Sequence, residues 1–219
     1  MEFMPDFALH RPTTSEEAVR IRSETDGALY VAGGTDMLVN VRRGIEQPTA
    51  LVDLSDIAEL KNINEDNEGL HIGAGVTLDL IARDPRVAGD FTAIADAAAA
   101  VAGPTHQKYG TLGGNLCLDT RCMFYNQSEW WRKSNDYCLK ERGDICHVAP
   151  GGKRCFAAFS GDVAPAALVH KAKVDLVSVT GRRTVPLADI YRDDGMNHLA
   201  IKPGELLTTL HLPKAEAGV

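Results

Sequence analysis

"VAGGTDML", residues 31–38, decides how this chain is read. The apolar run "ALYVA" before it ends in Gly33-Gly34, and an apolar-periodic segment follows, so a buried strand is expected to pass into a helix at the glycines. Glycines let a backbone approach a ligand closely and take positive φ. Free N–H groups at the start of the following helix attract an anion, and a diphosphate is the natural guest. No Gly-Lys-Ser/Thr follows, so the turn is not a P-loop, and it is not G-x-G-x-x-G either. By itself it is explained equally well as a tight turn between strand and helix.

Working outward, "TTSEEAVRIR" reads as a capped helix, with Thr14 or Ser15 as the cap and acidic residues in its first turn. "TALVDLS" is a second strand, and strand, helix and strand together suggest a small parallel α/β unit. "GLHIGAGVTLDLIAR" repeats strand, glycine turn and helix. "DFTAIADAAAAVAG" is a helix that Gly103-Pro104 is expected to stop, and "TLGGNL" is read as a glycine turn. "GDVAPAALVHKA" is a turn and helix, "KVDLVSVTGRRTVPL" a hairpin around Gly181, and "ELLTTLHLP" a last strand. The expected class is α+β, with a small α/β subdomain over 1–56, a larger one over 57–219, and a cleft between them.

The chain has 219 residues, 44 % hydrophobic and 24 % charged, as in soluble globular proteins. Its net charge of −7 argues against nucleic-acid binding. The N-terminus lacks a basic stretch followed by an apolar one, and "FTAIADAAAAVAG" is too short to span a bilayer. A cytoplasmic location without membrane association is therefore expected, and there structural disulfides are rare. Five cysteines, an odd number, favour free thiols, metal ligands or a cluster site.

Four of them, Cys122, Cys138, Cys146 and Cys155, lie in one stretch and are separated by 15, 7 and 8 residues. Buried free thiols, a structural zinc and an iron–sulfur cluster all remain open on spacing alone. Zinc modules usually show close pairs, which are missing here, and a cluster accepts wider spacing. A loop this long, without a core of its own, needs something to tie it.

Two further turns matter. "TLGGN" (111–115) pairs two glycines with Thr111 and Asn115, and "GDVAP" (161–165) puts Asp162 before a helix, as its cap or as a ligand to a sugar hydroxyl. "VAGGTDML", "IGAGVTLDLI", "TLGGN" and "GDVAP", in this order, resemble the FAD-binding medium subunit or domain of the molybdenum hydroxylase (xanthine oxidase / CO dehydrogenase) family. The resemblance spans nearly the whole chain. It implies an FAD site formed by Ala32, Gly33, Gly34, Thr35, Asp36, Thr111, Gly113, Gly114, Asn115 and Asp162. Relatives often carry Arg-Asn shortly before the second turn, where this chain has Gln107, Lys108 and Tyr109. Relatives also continue for about another hundred residues as a C-terminal domain, whereas this chain stops where their FAD-binding part ends.

Relatives pass quickly from the second turn to the third, so about forty residues within 116–161 look inserted. The insert "GGNLCLDTRCMFYNQSEWWR" and the cysteines after it resemble one branch of that family, the 4-hydroxybenzoyl-CoA reductases, which carry a 4Fe–4S cluster at this point. The resemblance implies Cys122, Cys138, Cys146 and Cys155 as cluster ligands, with Cys117 a spare, packed thiol and His147 not a ligand. Trp130 and Trp131 are expected to shield the cluster or pack at an interface. The implied partners are a molybdenum-cofactor large subunit and a 2Fe–2S small subunit. The implied role is relay of electrons toward reductive dehydroxylation of 4-hydroxybenzoyl-CoA. The chain shows no nucleophile or general-base set of its own, as suits a relay.

Residues 121–155 hold seven basic and four acidic residues, a surplus of +3, against −10 for the remainder (16 basic, 26 acidic). That asymmetry suggests docking of an acidic ferredoxin-like donor at the insert. Two other readings stay open: a hydroxylase flavin subunit passing electrons outward, and a zinc-stabilised module without redox function.

Overall fold

The structure is a computed structural model and describes residues 4–214. Its first part is a parallel sheet. β1 (Ala8–His10), α1 (Ser15–Glu24), β2 (Ala28–Val31), α2 (Met37–Arg42) and β3 (Ala50–Asp53) follow in order, and the strands lie β1–β3–β2. Ala8, Ala50 and Ala28 share one row, which sets the register. Thr14 caps α1, its hydroxyl accepting from Glu17 N–H, so of the two candidate caps it is Thr14 that acts and Ser15 that is buried.

The second sheet is antiparallel, in the order β4–β5–β8–β6–β7. It comprises β4 (Ile63–Glu65), β5 (Gly69–Gly73), β6 (Lys173–Ser178), β7 (Gly181–Pro186) and β8 (Leu206–Pro213). Gly181 turns the β6–β7 hairpin at φ 133°, a conformation that glycine supplies. Between β5 and β6 run α3 (Leu78–Arg83), α4 (Pro85–Asp90), α5 (Thr92–Ala100), α6 (Pro104–Tyr109), α7 (Leu112–Leu116), α8 (Glu129–Ser134) and α9 (Val163–Val169). Ile81, Ile94, Ala98, Leu112, Leu116, Val163 and Ala167 pack with Leu70, Ile72, Val174 and Leu210 of the sheet in the main core. The smaller core, around Val19, Ala28, Ala50 and Val52, is closed by Val177 and Leu206 from the second sheet, so the two sheets share it.

Several expectations are corrected here. Gly103-Pro104 does not simply stop a helix: α5 ends at Ala100, and Pro104 opens α6 in the first-turn position where its missing N–H costs nothing. "TLGGNL" is not a bare turn but α7, capped by Thr111, whose hydroxyl accepts from Gly114 N–H at 3.2 Å. β1 and β4, each three residues long, were not anticipated. Among the described residues no helix is long and apolar enough to cross a membrane.

From 117 to 162 the only helix is α8. This long excursion leaves and rejoins the body through one neck. Arg121 N–H donates to Ala158 O (2.6 Å) and Ala158 N–H to Arg121 O (2.8 Å), and all four clustered cysteines lie between these two residues.

Candidate functional site

The three glycine-bearing turns meet. A Cβ on Gly33 would lie 1.7 Å from Tyr109 O, so only glycine lets the first turn rest on the chain entering the second. A Cβ on Gly113 would lie 2.8 Å from the Ala74 side chain, and one on Gly161 would lie 2.4 Å from Asn115 O. The segment 74–78 completes the junction: Ala74 O and Val76 O accept from Gly113 and Leu112 N–H, and Gly110 O accepts from Leu78 N–H.

The turns differ in what they offer a ligand. In the second, the N–H groups of Leu112, Gly113 and Asn115 go to Val76 O, Ala74 O and Thr111 O, and that of Gly114 to the Thr111 hydroxyl. Its backbone donors are therefore spent inside the protein. Among the described residues no protein acceptor takes the N–H groups of Gly33, Gly34, Thr35 or Asp36. With Gly34 at φ 69°, this first turn is a concave run of free donors suited to an anion.

Asp162 stands at the N-cap position of α9 but makes no cap hydrogen bond. Asn115, buried, caps the helix instead, its Oδ1 accepting from Val163 N–H at 3.0 Å. The exposed Asp162 carboxylate is thereby left free of its ordinary capping duty. Asp36 is already engaged, pairing with Arg121 and accepting from Asn40 Nδ2 at 3.1 Å, while Arg121 Nη1 donates to Asn40 Oδ1. Ala32 and Thr35 sit half-buried in the first turn.

The four clustered cysteines line a single small cavity, part of it open to solvent. Phe124, Tyr125, Leu139, Lys140 and His147 complete the lining. Backbone N–H groups point at three of the sulfurs. Burial works to raise the Cys146 thiol, but the N–H groups of Phe156, Ala149 and Val148 hold it below its ordinary value. Burial raises Cys138 against the N–H groups of Lys140 and Glu141. Burial also raises Cys155 against Ala157 N–H, 3.4 Å from its sulfur, and the Lys140 charge. Cys155 feels both Cys146 and Cys138, and Cys138 feels Cys122, so the thiols lie within each other's field. Among the described residues no three His, Cys, Asp or Glu converge as the ligands of one metal ion.

Cys117 packs against the main core, apart from this cavity. His147 Nε2 donates to Tyr137 O at 2.6 Å, and its ring lies 5.5 Å from that of Phe124. Trp130 is 76 % exposed and does not line the cavity that Phe124 and Tyr125 help to form. The ring of Trp131 reaches Phe124 at 6.3 Å.

Sequence reading passed over Arg132. It is 2 % exposed, donates to Gln127 O (2.6 Å) and Gly44 O (3.2 Å), and pairs with Glu129 and Glu141. It ties the insert to the end of α2, as Arg121 ties it to the start. Of the seven basic residues of 121–155, Arg121, Arg132, Lys140, Arg142 and Arg154 all meet carboxylates. The partners Asp36, Asp119 and Asp193 lie outside the segment, so much of its positive surplus is neutralised by the body.

Comparison with known proteins fits this geometry. The aldehyde oxidoreductase FAD-binding subunit PaoB of Escherichia coli (strain K12) is 31 % identical over 98 % of this chain and 70 % of its own length. The nicotinate dehydrogenase FAD-subunit of Eubacterium barkeri is 25 % identical over 98 % of this chain and 60 % of its own. The crystal structure of the Cu,Mo-CO dehydrogenase superposes with a TM-score of 0.75 at 24 % identity, over 99 % of this chain and 62 % of that one, which speaks to fold. The chain thus spans 60–70 % of the length of these relatives. Residues 5–215 match the family described as "FAD binding domain in molybdopterin dehydrogenase", and the chain belongs to that family.

Proposed function

We propose that this chain is the flavin unit of a molybdenum-dependent oxidoreductase and that its four-cysteine loop binds a 4Fe–4S cluster beside the FAD. The observation that carries the cluster reading is the ring of Cys122, Cys138, Cys146 and Cys155 around one cavity, with backbone N–H groups aimed at three of the sulfurs. Such hydrogen bonds stabilise thiolates and tune the cluster they hold. FAD supplies exchange between one- and two-electron carriers, and an iron–sulfur cluster supplies one-electron steps. The chain's own residues bind, orient and shield. Gly33, Gly34 and Thr35 present free N–H groups to the diphosphate, with Ala32 and Asp36 framing that turn. Thr111, Gly113, Gly114 and Asn115 shape the floor, and Asp162 offers its free carboxylate to a hydroxyl of the cofactor. Phe124, Tyr125 and Leu139 keep water from the sulfurs.

In this reading electrons enter at the cysteine loop from a ferredoxin-like donor and pass by way of the flavin toward a 2Fe–2S small subunit and a molybdenum large subunit. The reaction served is reductive removal of the phenolic hydroxyl of 4-hydroxybenzoyl-CoA. The division into subdomains at 56/57 is part of the proposal, with the flavin seated where the turns of the two parts meet. The exposed Lys133 and Lys153 are the insert's cations left for an acidic donor.

The test is anoxic purification followed by measurement of flavin, iron, zinc and acid-labile sulfide. About four irons and four sulfides per FAD are expected. One zinc without sulfide overturns the cluster reading, and absence of flavin overturns the whole. Reduction of 4-hydroxybenzoyl-CoA by the assembled complex with a low-potential donor tests the substrate, and no benzoyl-CoA formed would refute it.

A further inference from the structure

Lys140 is the one Lys or Arg among the residues that line the four-cysteine cavity. Its side chain is only 6 % exposed. The ammonium is fixed from behind: it donates to Asp119 Oδ1 (2.7 Å), to Thr120 O (3.1 Å) and to the Thr120 hydroxyl. Thr120, itself buried, is anchored by its hydroxyl to Gly195 O. The ammonium also sits 4.7 Å from the centre of the Tyr125 ring, another lining residue. Lys140 belongs to the cavity wall and Asp119 does not, so the pair is a fixed dipole beside the sulfurs whose cation is carried by the lining residue. Taking an ammonium out of water costs several kcal/mol, and Asp119, itself partly exposed, offsets only part of that. Four thiolates gathered nearby would supply the remaining negative charge.

We propose that Lys140 is the built-in counter-charge of the four-cysteine centre and sets its reduction potential, with Asp119 opposing it. The proposal rests on the cluster reading above. Lys140 does not touch the sulfurs by any hydrogen bond, since Asp119 and Thr120 take its donors. It acts through its field and is a positioning residue. Adding one electron makes the centre more negative, and a nearby fixed cation favours that state in a medium of low effective dielectric.

The experiment is a redox titration, followed by electron paramagnetic resonance, of the purified complex carrying parent, Lys140→Met, Lys140→Arg or Asp119→Asn chains, each assayed for iron and sulfide. Lys140→Met is expected to lower the equilibrium constant for cluster reduction at least tenfold, a shift of about 59 mV for a one-electron couple. Lys140→Arg keeps the charge and should shift it much less. Asp119→Asn should move the potential the opposite way, upward. General loosening of the loop does not produce shifts of opposite sign. Loaded variants with unchanged potentials, or Lys140→Met and Asp119→Asn moving the same way, overturn the proposal. If Lys140→Met fails to load, Asp119→Asn decides alone: an upward shift supports the proposal and no shift overturns it. A parent without iron and sulfide overturns the cluster reading and this proposal with it.

Discussion

Replacing Gly33 by Ala tests whether close apposition of the first two turns builds the flavin site. The added Cβ would lie 1.7 Å from Tyr109 O, 2.4 Å from Tyr109 C and 3.1 Å from Gly110 N. All three are main-chain atoms, so no side chain can swing away. Reaching a bearable 3.0 Å requires the turns to part by more than 1 Å. That movement pulls on Leu78 N–H to Gly110 O and on the Thr77–Thr111 bridge, both at the same junction. Forced overpacking of this kind costs about 1–3 kcal/mol. For a chain of this size the melting temperature should fall by roughly 3–10 °C. The free donors of residues 33–36 shift with it, and loss of one or two good contacts to a diphosphate weakens binding about 10- to 100-fold. Flavin fluorescence titration of the apo-protein and a thermal melt read the two effects. Gly151→Ala is the control, because nothing lies within 4 Å of its added Cβ. If Gly33→Ala binds FAD as tightly as the parent and melts with it, the turns do not form the cradle.

Three other outcomes follow from the same geometry. Arg132→Met should cost about 1–3 kcal/mol, because Gln127 O and Gly44 O lose their buried donor and Glu141 keeps only Arg142 as its cation; a thermal melt unchanged from the parent would refute this. Glu205, held below its ordinary range by hydrogen bonds from Arg183 at 2.7 Å, contributes stability above pH 4.5 that is lost as pH falls, so the unfolding free energies of the parent and Glu205→Gln from urea titrations should differ at pH 7 by about 1.5–3 kcal/mol and converge in acid. Burial pushes the Cys117 thiol up to about 12 from an ordinary 9.0: the folded state holds this proton more firmly, so its contribution is intact below pH 9 and fades as pH rises above it, and at pH 8 mass spectrometry should find Cys117 unalkylated in the folded chain.

What the sequence disclosed was local, and what it withheld was long-range. The Thr14 cap, the β2–α2 turn and the Gly181 hairpin each follow from residues within a few positions of one another. β1 has three residues and no alternation to mark it, and it exists because β3 pairs with it. α7 was hidden by two glycines that disfavour helices, yet a capping threonine and bonds to Ala74 and Val76 hold it. For Asp162 the cap rule failed because Asn115, 48 positions from Val163, does the capping. Nothing near Arg132 in sequence marks it as buried, and only its contact with Gly44, 88 residues away, shows it as a strap. Lys140 carried no local signal at all, because its partners Asp119 and Thr120 sit about twenty positions upstream across the neck of the loop.

These hidden contacts share a direction, and it bears on how two redox sites can be kept in register. The cysteine loop does not hang from the body by its neck alone. Arg121, the residue before Cys122, pairs with Asp36 in the first glycine turn and bonds to Asn40 within α2. Arg132 reaches past the cysteine cavity to Gly44, just beyond the end of the same helix. So α2, which begins where the free N–H groups of 33–36 are displayed, is gripped at both ends by the insert. Electron exchange between two centres requires that their separation not fluctuate. A six-residue helix, too short to be stable by itself, is the common support of the first glycine turn and the cysteine loop, and so of both centres proposed above. The Asp36 carboxylate, paired with Arg121 and bonded to Asn40, fastens the first glycine turn to the cysteine loop. The positive surplus that marked the insert in sequence belongs largely to this fastening, with Arg121 and Arg132 holding α2 and Lys140 tied to Asp119 and Thr120 at the neck.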